Sequence, residues 1–589
     1  MPISPSTTGC MTASAYRCLA LAARATPLLL LTACTSVQLP PWANELPRTA
    51  AAPAPAPNPV PMATPVPAEP AIAVQASPVA SPSIILNQPV ESALPYGAAV
   101  ASRFKPPSVV YNTPGLQASR TTFTSQAEIH NWLRDQVTAL ARSAGVKAAL
   151  VPIGASQQGQ PLEALILTRS TGGTDPAALL ATGLPTVLLV GQQHGDEPAG
   201  SEALLVVAQE LAQGLLQPLL ERINVVIVPR ADPDGANRGE VLAGGRQDME
   251  RDHLLLSTPE TQALARLTRD YQPMVMLVAN EYRLMEAYQQ KFAAVQKFDA
   301  LLQYSTTANL PEFLSRADEE WYRRPLLAAL KSQGLSREWY HTTSADIADR
   351  TVSMGDPEPV TYRNVGGLKN AVSVAIHTRG AGLGRLDIQR RVHAHITAIT
   401  SVLGSTAQRA KELTQLRPYL EKEVSDLACK GQAMIEVANT PAQYDLQMLD
   451  PTTGADKTIT VDWESALALR TLKSRVRPCG YWLSNTSKLA VERLRLHGVK
   501  VLQVTQPSAM LGDIYREAQG PNRVQLLRSV VDAPVGSYYV PLSQPLANLA
   551  IAALEPDTRS SYFANRLVNS LADAARVMSE PALKAEELP

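Results

Sequence analysis

The chain has 589 residues, 45% of them hydrophobic, which is more than one core organises and predicts two globular regions plus non-globular sequence. Lysine plus arginine and aspartate plus glutamate each number 53, so the formal net charge is zero. No long run of one sign breaks that balance, which excludes the electrostatic footprint of a nucleic-acid-binding protein.

At the N-terminus, Arg17 and Arg24 sit beside or within the apolar stretch 18–33, which is short for a bilayer-spanning helix and ends in small residues. Residues 1–34 therefore read as a signal peptide. Leu31-Thr32-Ala33-Cys34 resembles the lipobox of bacterial lipoproteins, and this resemblance implies lipidation of Cys34, a lipid anchor in the membrane and a periplasm-facing place in the bacterial cell envelope. The other reading is an ordinary secretory signal with an incidental cysteine. Residues 35–105 follow as a Pro/Ala-rich tether, since a stretch such as Ala51-Ala52-Pro53-Ala54-Pro55 cannot build a hydrogen-bonded core. Of the five cysteines, Cys10, Cys18 and Cys34 belong to the signal. Cys429 and Cys479 remain, either as one disulfide or as two buried thiols.

The folded part opens with helical spacing over 126–143, where Ile129, Trp132, Leu133, Val137 and Leu140 share a face. Short apolar runs follow at 186–190, 223–228, 274–278 and 371–376, and their lack of polar alternation predicts strands buried on both faces. Between them lie helices predicted over 198–214, with Pro198 in the first turn, and 259–269, with Thr258 as cap. One long helix is predicted over 387–413, capped by Asp387. Strands alternating with helices give an α/β domain over 106–410. The segments 459–463, 501–504 and 537–540 read as strands of a smaller C-terminal accessory domain, α+β or β-rich, over 411–589.

Gln193-His194-Gly195-Asp196-Glu197-Pro198 follows the first apolar run directly, where ligand sites gather in open α/β sheets. A histidine and a glutamate three residues apart on such a turn can offer a nitrogen and a carboxylate to one zinc ion. Alone, the pair equally suits an exposed turn whose acid complements a helix dipole.

The order of the neighbouring segments adds to that. Ser156-Gln157-Gln158-Gly159-Gln160-Pro161-Leu162, then Gly191-Gln192-Gln193-His194-Gly195-Asp196-Glu197, then Pro229-Arg230-Ala231-Asp232-Pro233-Asp234-Gly235 resemble, in order, three blocks of the zinc carboxypeptidases of the carboxypeptidase A type. The likeness covers about residues 125–405 and is strongest to a bacterial branch. It implies a mixed sheet flanked by helices, one bound zinc, and hydrolysis of C-terminal residues from peptides or cell-wall peptides. His194 and Glu197 stand at metal-ligand positions, and Arg251 at the position that grips a substrate carboxylate.

Three positions depart from the family pattern. Glu250 stands where the family has a neutral asparagine beside that arginine, and Asn280 stands at the third zinc ligand. A neutral amide oxygen is a poor zinc donor. His377 stands where the family places its general-base glutamate, and it can be read either as a substitute base or as a replacement third ligand. Tyr362 and Tyr340 fall where the family carries a mobile substrate-covering tyrosine, and Arg238 is the candidate oxyanion partner. His393 and His395 read as structural. Two functions follow as expectations: a metallocarboxypeptidase with weakened or lost chemistry, or a non-catalytic envelope lipoprotein that binds peptide or cell-wall termini. The oligomeric state is not set by the sequence.

Overall fold

The computed structural model describes residues 96–141, 145–239, 247–518 and 524–588. The expected signal segment, the expected lipidation site Cys34 and the expected tether as far as residue 95 lie outside the described residues. Structure begins earlier than the expected end of the tether. Tyr96, Val100 and Phe104 pack against Leu449, and the Arg379 guanidinium lies 3.9 Å from the Phe104 ring centre.

The first region is built on an eight-stranded sheet. Its strands are β1 Lys147–Ala155, β2 Pro161–Thr168, β3 Thr186–Gly191, β4 Asn224–Val228, β5 Val275–Arg283, β6 Ala300–Tyr304, β7 Arg337–Trp339 and β8 Val372–Ala381, in the order β1-β2-β4-β3-β5-β8-β6-β7. The central four, β4-β3-β5-β8, are parallel. They are the four predicted apolar runs, and every residue of β3, β4 and β8 is buried. Helices on both faces supply the covering layers that a parallel sheet needs. The helix Gln126–Leu140 starts with a complete capping box between Ser125 and Glu128, and Pro259–Tyr271 is capped by the Thr258 hydroxyl, as expected.

The predicted helix over 387–413 is two helices, Ile388–Gln408 and Ala410–Asp426, with the break at Arg409. Asp387 does not cap it through its side chain. Its backbone is left-handed and its carboxylate instead accepts a hydrogen bond from Tyr96 Oη.

Beyond that break the chain is sheet-rich. A hairpin of two long strands, Gln432–Leu449 and Asp456–Val476, joins the short strands Val295–Gln296, Thr342–Thr343 and Thr351–Ser353 in a five-stranded sheet. A seven-stranded sheet follows. Residue 410 does not separate two cores, because Leu254, Val360 and Leu368 of the first region share one cluster with Tyr481, Val540 and Leu549. Cys429 and Cys479 form a disulfide, so of the two expected states the bridged one is present. Among the described residues no helix is long and apolar enough to cross a membrane.

Candidate active-site cleft

The site lies where β3, β5 and β8 end. His194 and Glu197 follow β3 on a turn that leads into the helix Pro198–Gln213. That helix lies flush on the sheet because Gly200 has no side chain: a Cβ there would sit 2.1 Å from Ala279 O on β5. The close approach sets the turn beside Asn280, the next residue along the strand.

His194 is held at both ring nitrogens. Nδ1 lies 2.9 Å from Glu197 Oε1, and Nε2 lies 2.9 Å from Asp248 Oδ1. A ring paired with two carboxylates is an imidazolium. Burial pulls its pKa down, but the Glu197 charge and the Asp248 hydrogen bond outweigh this and raise it well above the ordinary value. Burial pushes Glu197 up to about 7 against the pull of His194. The other Glu197 oxygen accepts the Glu281 backbone N–H at 2.9 Å. Glu281 is itself fixed by Arg391, whose Nε and Nη2 reach its two oxygens at 2.7 and 2.8 Å in full burial. The sequence reading missed Asp248, Glu281 and Arg391. Their roles come from contacts 54 to 110 residues apart, which no local pattern carries.

Asn280 is fully buried. Its Nδ2 donates to Glu250 Oε1 at 3.3 Å, while its Oδ1 has no partner. His377 is its register partner on the neighbouring parallel strand β8. The imidazole of His377 lies against the Tyr340 ring, with centroids 4.3 Å apart. Burial, with a further push from Arg363, lowers its pKa to about 3. Such a ring is neutral at pH 7 and does not retain a proton taken from water, whereas an effective general base has a pKa near the working pH.

Beside His377 and Tyr340 opens a cleft of about 640 Å³, which His194 and Asn280 reach only through their partners Asp248 and Glu250 in its wall. Its wall holds the carboxylates of Asp248, Glu250, Asp356, Glu358 and Glu464 against the guanidinium groups of Arg251, Arg363 and Arg559. The acids outnumber the bases, so the cleft favours a ligand with cationic character. Arg251 is half-exposed and donates to Asp356 at 2.9 Å. Asp356 also accepts from Arg559 at 2.8 Å. Arg363 is buried and donates to the Asn364 side chain and the Asp356 carbonyl.

The structure thus brings together His194, Glu197, Glu250, Arg251, Asn280 and His377. It does not bring Tyr362 to the cleft. That ring packs edge-on against His253 at 5.1 Å inside the core, and Tyr340 lines the cleft instead. Arg238 is exposed at the end of the short helix Pro233–Arg238 and is not part of the cleft wall.

Comparison with known proteins agrees with the motif order. Residues 133–252 match the zinc carboxypeptidase family. The match includes His194, Glu197 and Arg251, and it stops short of Asn280 and His377. The chain is 23% identical to Carboxypeptidase 2 of Trichophyton rubrum over 516 residues, covering 82% of this chain and 94% of that protein. Over an alignment of 104 positions, covering 15% of this chain and 8% of the other, it is 39% identical to Carboxypeptidase D of Mus musculus. Among solved structures, a metallo-carboxypeptidase from Burkholderia cenocepacia aligns with a TM-score of 0.35 and 12% identity over 47% of this chain and 68% of that one. The mixed α/β region is that of a zinc-carboxypeptidase-like fold, followed by a sheet-rich C-terminal region.

The likeness implies zinc, yet the donor set does not fit a zinc carboxypeptidase centre. His194 and Glu197 are present and close, but the residue expected at the third position, Asn280, offers only a neutral amide. Among the described residues no three His, Cys, Asp or Glu side chains are placed to hold one metal ion, His377 included, and the carboxylates of Glu197 and Asp248 sit on opposite nitrogens of the His194 ring.

Proposed function

We propose that the chain is a carboxypeptidase-like protein that binds peptide or cell-wall peptide termini at the cell envelope without hydrolysing them. The observation that carries this reading is the pair at the ends of β5 and β8. Asn280 supplies an amide where hydrolysis needs an anionic or imidazole donor, and His377 beside it is a neutral ring packed on Tyr340. What remains is recognition chemistry. Arg251 and Arg363 can meet a carboxylate, and Glu250 with Asp248 can meet an ammonium group or peptide N–H groups.

The lipobox-like Leu31-Thr32-Ala33-Cys34 supports anchoring at the membrane, with the Pro/Ala-rich segment as spacer. The test is a parallel measurement of peptide binding by calorimetry and of amino-acid release by mass spectrometry, at high protein concentration with zinc present. Binding without release is the expected result. Release that depends on His194 and disappears in His194→Ala would overturn the reading in favour of a working peptidase.

A further inference from the structure

A second cavity of about 350 Å³ adjoins the cleft, within the size range of ligand pockets. The two share Pro357, Glu358, Val437 and Arg559 in their walls. The second cavity belongs largely to the sheet-rich C-terminal region. Met434, Ile435 and Leu472 come from the long hairpin, and Ile551 and Ala552 from the helix Ala547–Leu554.

Most polar groups in its lining are already engaged. Glu555 accepts from Arg576 Nε and Tyr481 Oη, both at 2.8 Å, and pairs with Arg475. Asp557 pairs with Arg475 and Lys473. The Asn309 amide is spent on the Met434 backbone, with bonds of 2.8 and 2.9 Å. The surface left to meet a ligand is therefore mainly apolar. Leu472, a large apolar side chain that is 60% exposed, also lines it. On the shared wall Arg559 donates to Glu358 at 3.1 Å, so a polar pair borders the passage from one cavity to the other.

We propose that this cavity is a subsite for an apolar side chain of the peptide whose terminus occupies the cleft. The ligand class is then a peptide with a hydrophobic residue a few positions from its recognised end. This rests on the peptide-binding reading above and deepens it.

The test uses the intact protein and two kinds of probe. N-acetyl-leucinamide and N-acetyl-serinamide carry the side chain without a terminus. A pair of peptides differing only by leucine or serine at the internal position carry both. Binding is compared in the wild type, in Leu472→Asp at the exposed edge and in Ala552→Trp, which fills the cavity. The wild type is expected to prefer leucine by about tenfold in both probe pairs, the size of effect that burying such a side chain gives. Both variants are expected to reduce the preference to within about twofold. Should Ala552→Trp fail to fold, the exposed Leu472→Asp decides. Peptides that bind with no leucine preference, or a preference that survives both variants, would overturn the subsite and leave the terminus reading standing. A leucinamide preference lost in the variants, with no peptide bound, would keep the apolar cavity but overturn both its assignment to a terminus-bound peptide and the reading on which it rests.

Discussion

Arg251 donates a hydrogen bond to Asp356 at 2.9 Å, so the guanidinium proposed above to meet a ligand carboxylate already holds one of the protein's own. A peptide terminus must compete with it. Asp356→Asn is expected to raise affinity for peptides with a free C-terminal carboxylate by about three- to tenfold and to leave C-terminally amidated peptides unchanged. Because both partners are partly exposed, stability should move by less than about 1 kcal/mol. Calorimetry with the two peptide forms checks this, and equal affinities in wild type and variant would show that Arg251 does not meet the terminus.

On the proposed reading Asn280 stands where a third donor is missing, so an imidazole there should bring in metal binding. Asn280→His is expected to gain zinc affinity by about a hundredfold or more over the wild type, since it converts a two-donor site into three. Elemental analysis after dialysis against a graded zinc buffer measures it. Equal zinc content in both proteins would show that the amide is not what limits binding.

The buried pair of Glu281 and Arg391 holds the backbone that in turn holds Glu197. Arg391→Met leaves a carboxylate without its cation in full burial and is expected to cost about 3–5 kcal/mol in urea unfolding. The double variant Glu281→Gln with Arg391→Met should lose markedly less, because no charge is then stranded. Additive losses would contradict this account.

Several histidines are buried as neutral rings. Burial lowers His253, His395 and His497 to about 3 and His341 to about 4, from an ordinary 6.5. The unfolded chain takes up these protons near pH 6.5 and the folded chain does not until pH 3 to 4. Their contribution to stability is therefore full above about pH 6.5 and is lost as the pH falls towards 3. Thermal unfolding should show Tm falling by roughly 5 °C or more between pH 7 and pH 4.5. A Tm that is flat or rises over that window would refute the neutral assignment.

The central strands were legible because each is a short apolar run with no alternation, the mark of burial on both faces. The turn of His194 and Glu197 was legible because it directly follows one of those runs. The break at Arg409 was not, since the apolar spacing continues through buried Ala410 and Leu413 as though the helix did. Tyr362 was misplaced for a similar reason. It lies between Thr361 and Arg363, both in the cleft wall, but a helical step of about 100° turns its ring into the core. Asp248 and Asp356 act through contacts 54 and 105 residues distant, and the seven-stranded sheet pairs segments in an order unrelated to their sequence order.

Cys429 and Cys479 bracket the long hairpin, one on each side of its two strands, at a sequence separation of 50. That hairpin carries Val437 and Asn439 into the first cavity and Met434, Ile435 and Leu472 into the second. The bridge ties the base of the wall against which a ligand would be held, while the His194 cluster hangs on an eight-stranded sheet that the bridge does not touch. It follows that the oxidation state of the surroundings governs grip and scaffold separately. A chain whose Cys429 and Cys479 stayed reduced would keep its eight-stranded sheet and lose the covalent tie at the base of that wall.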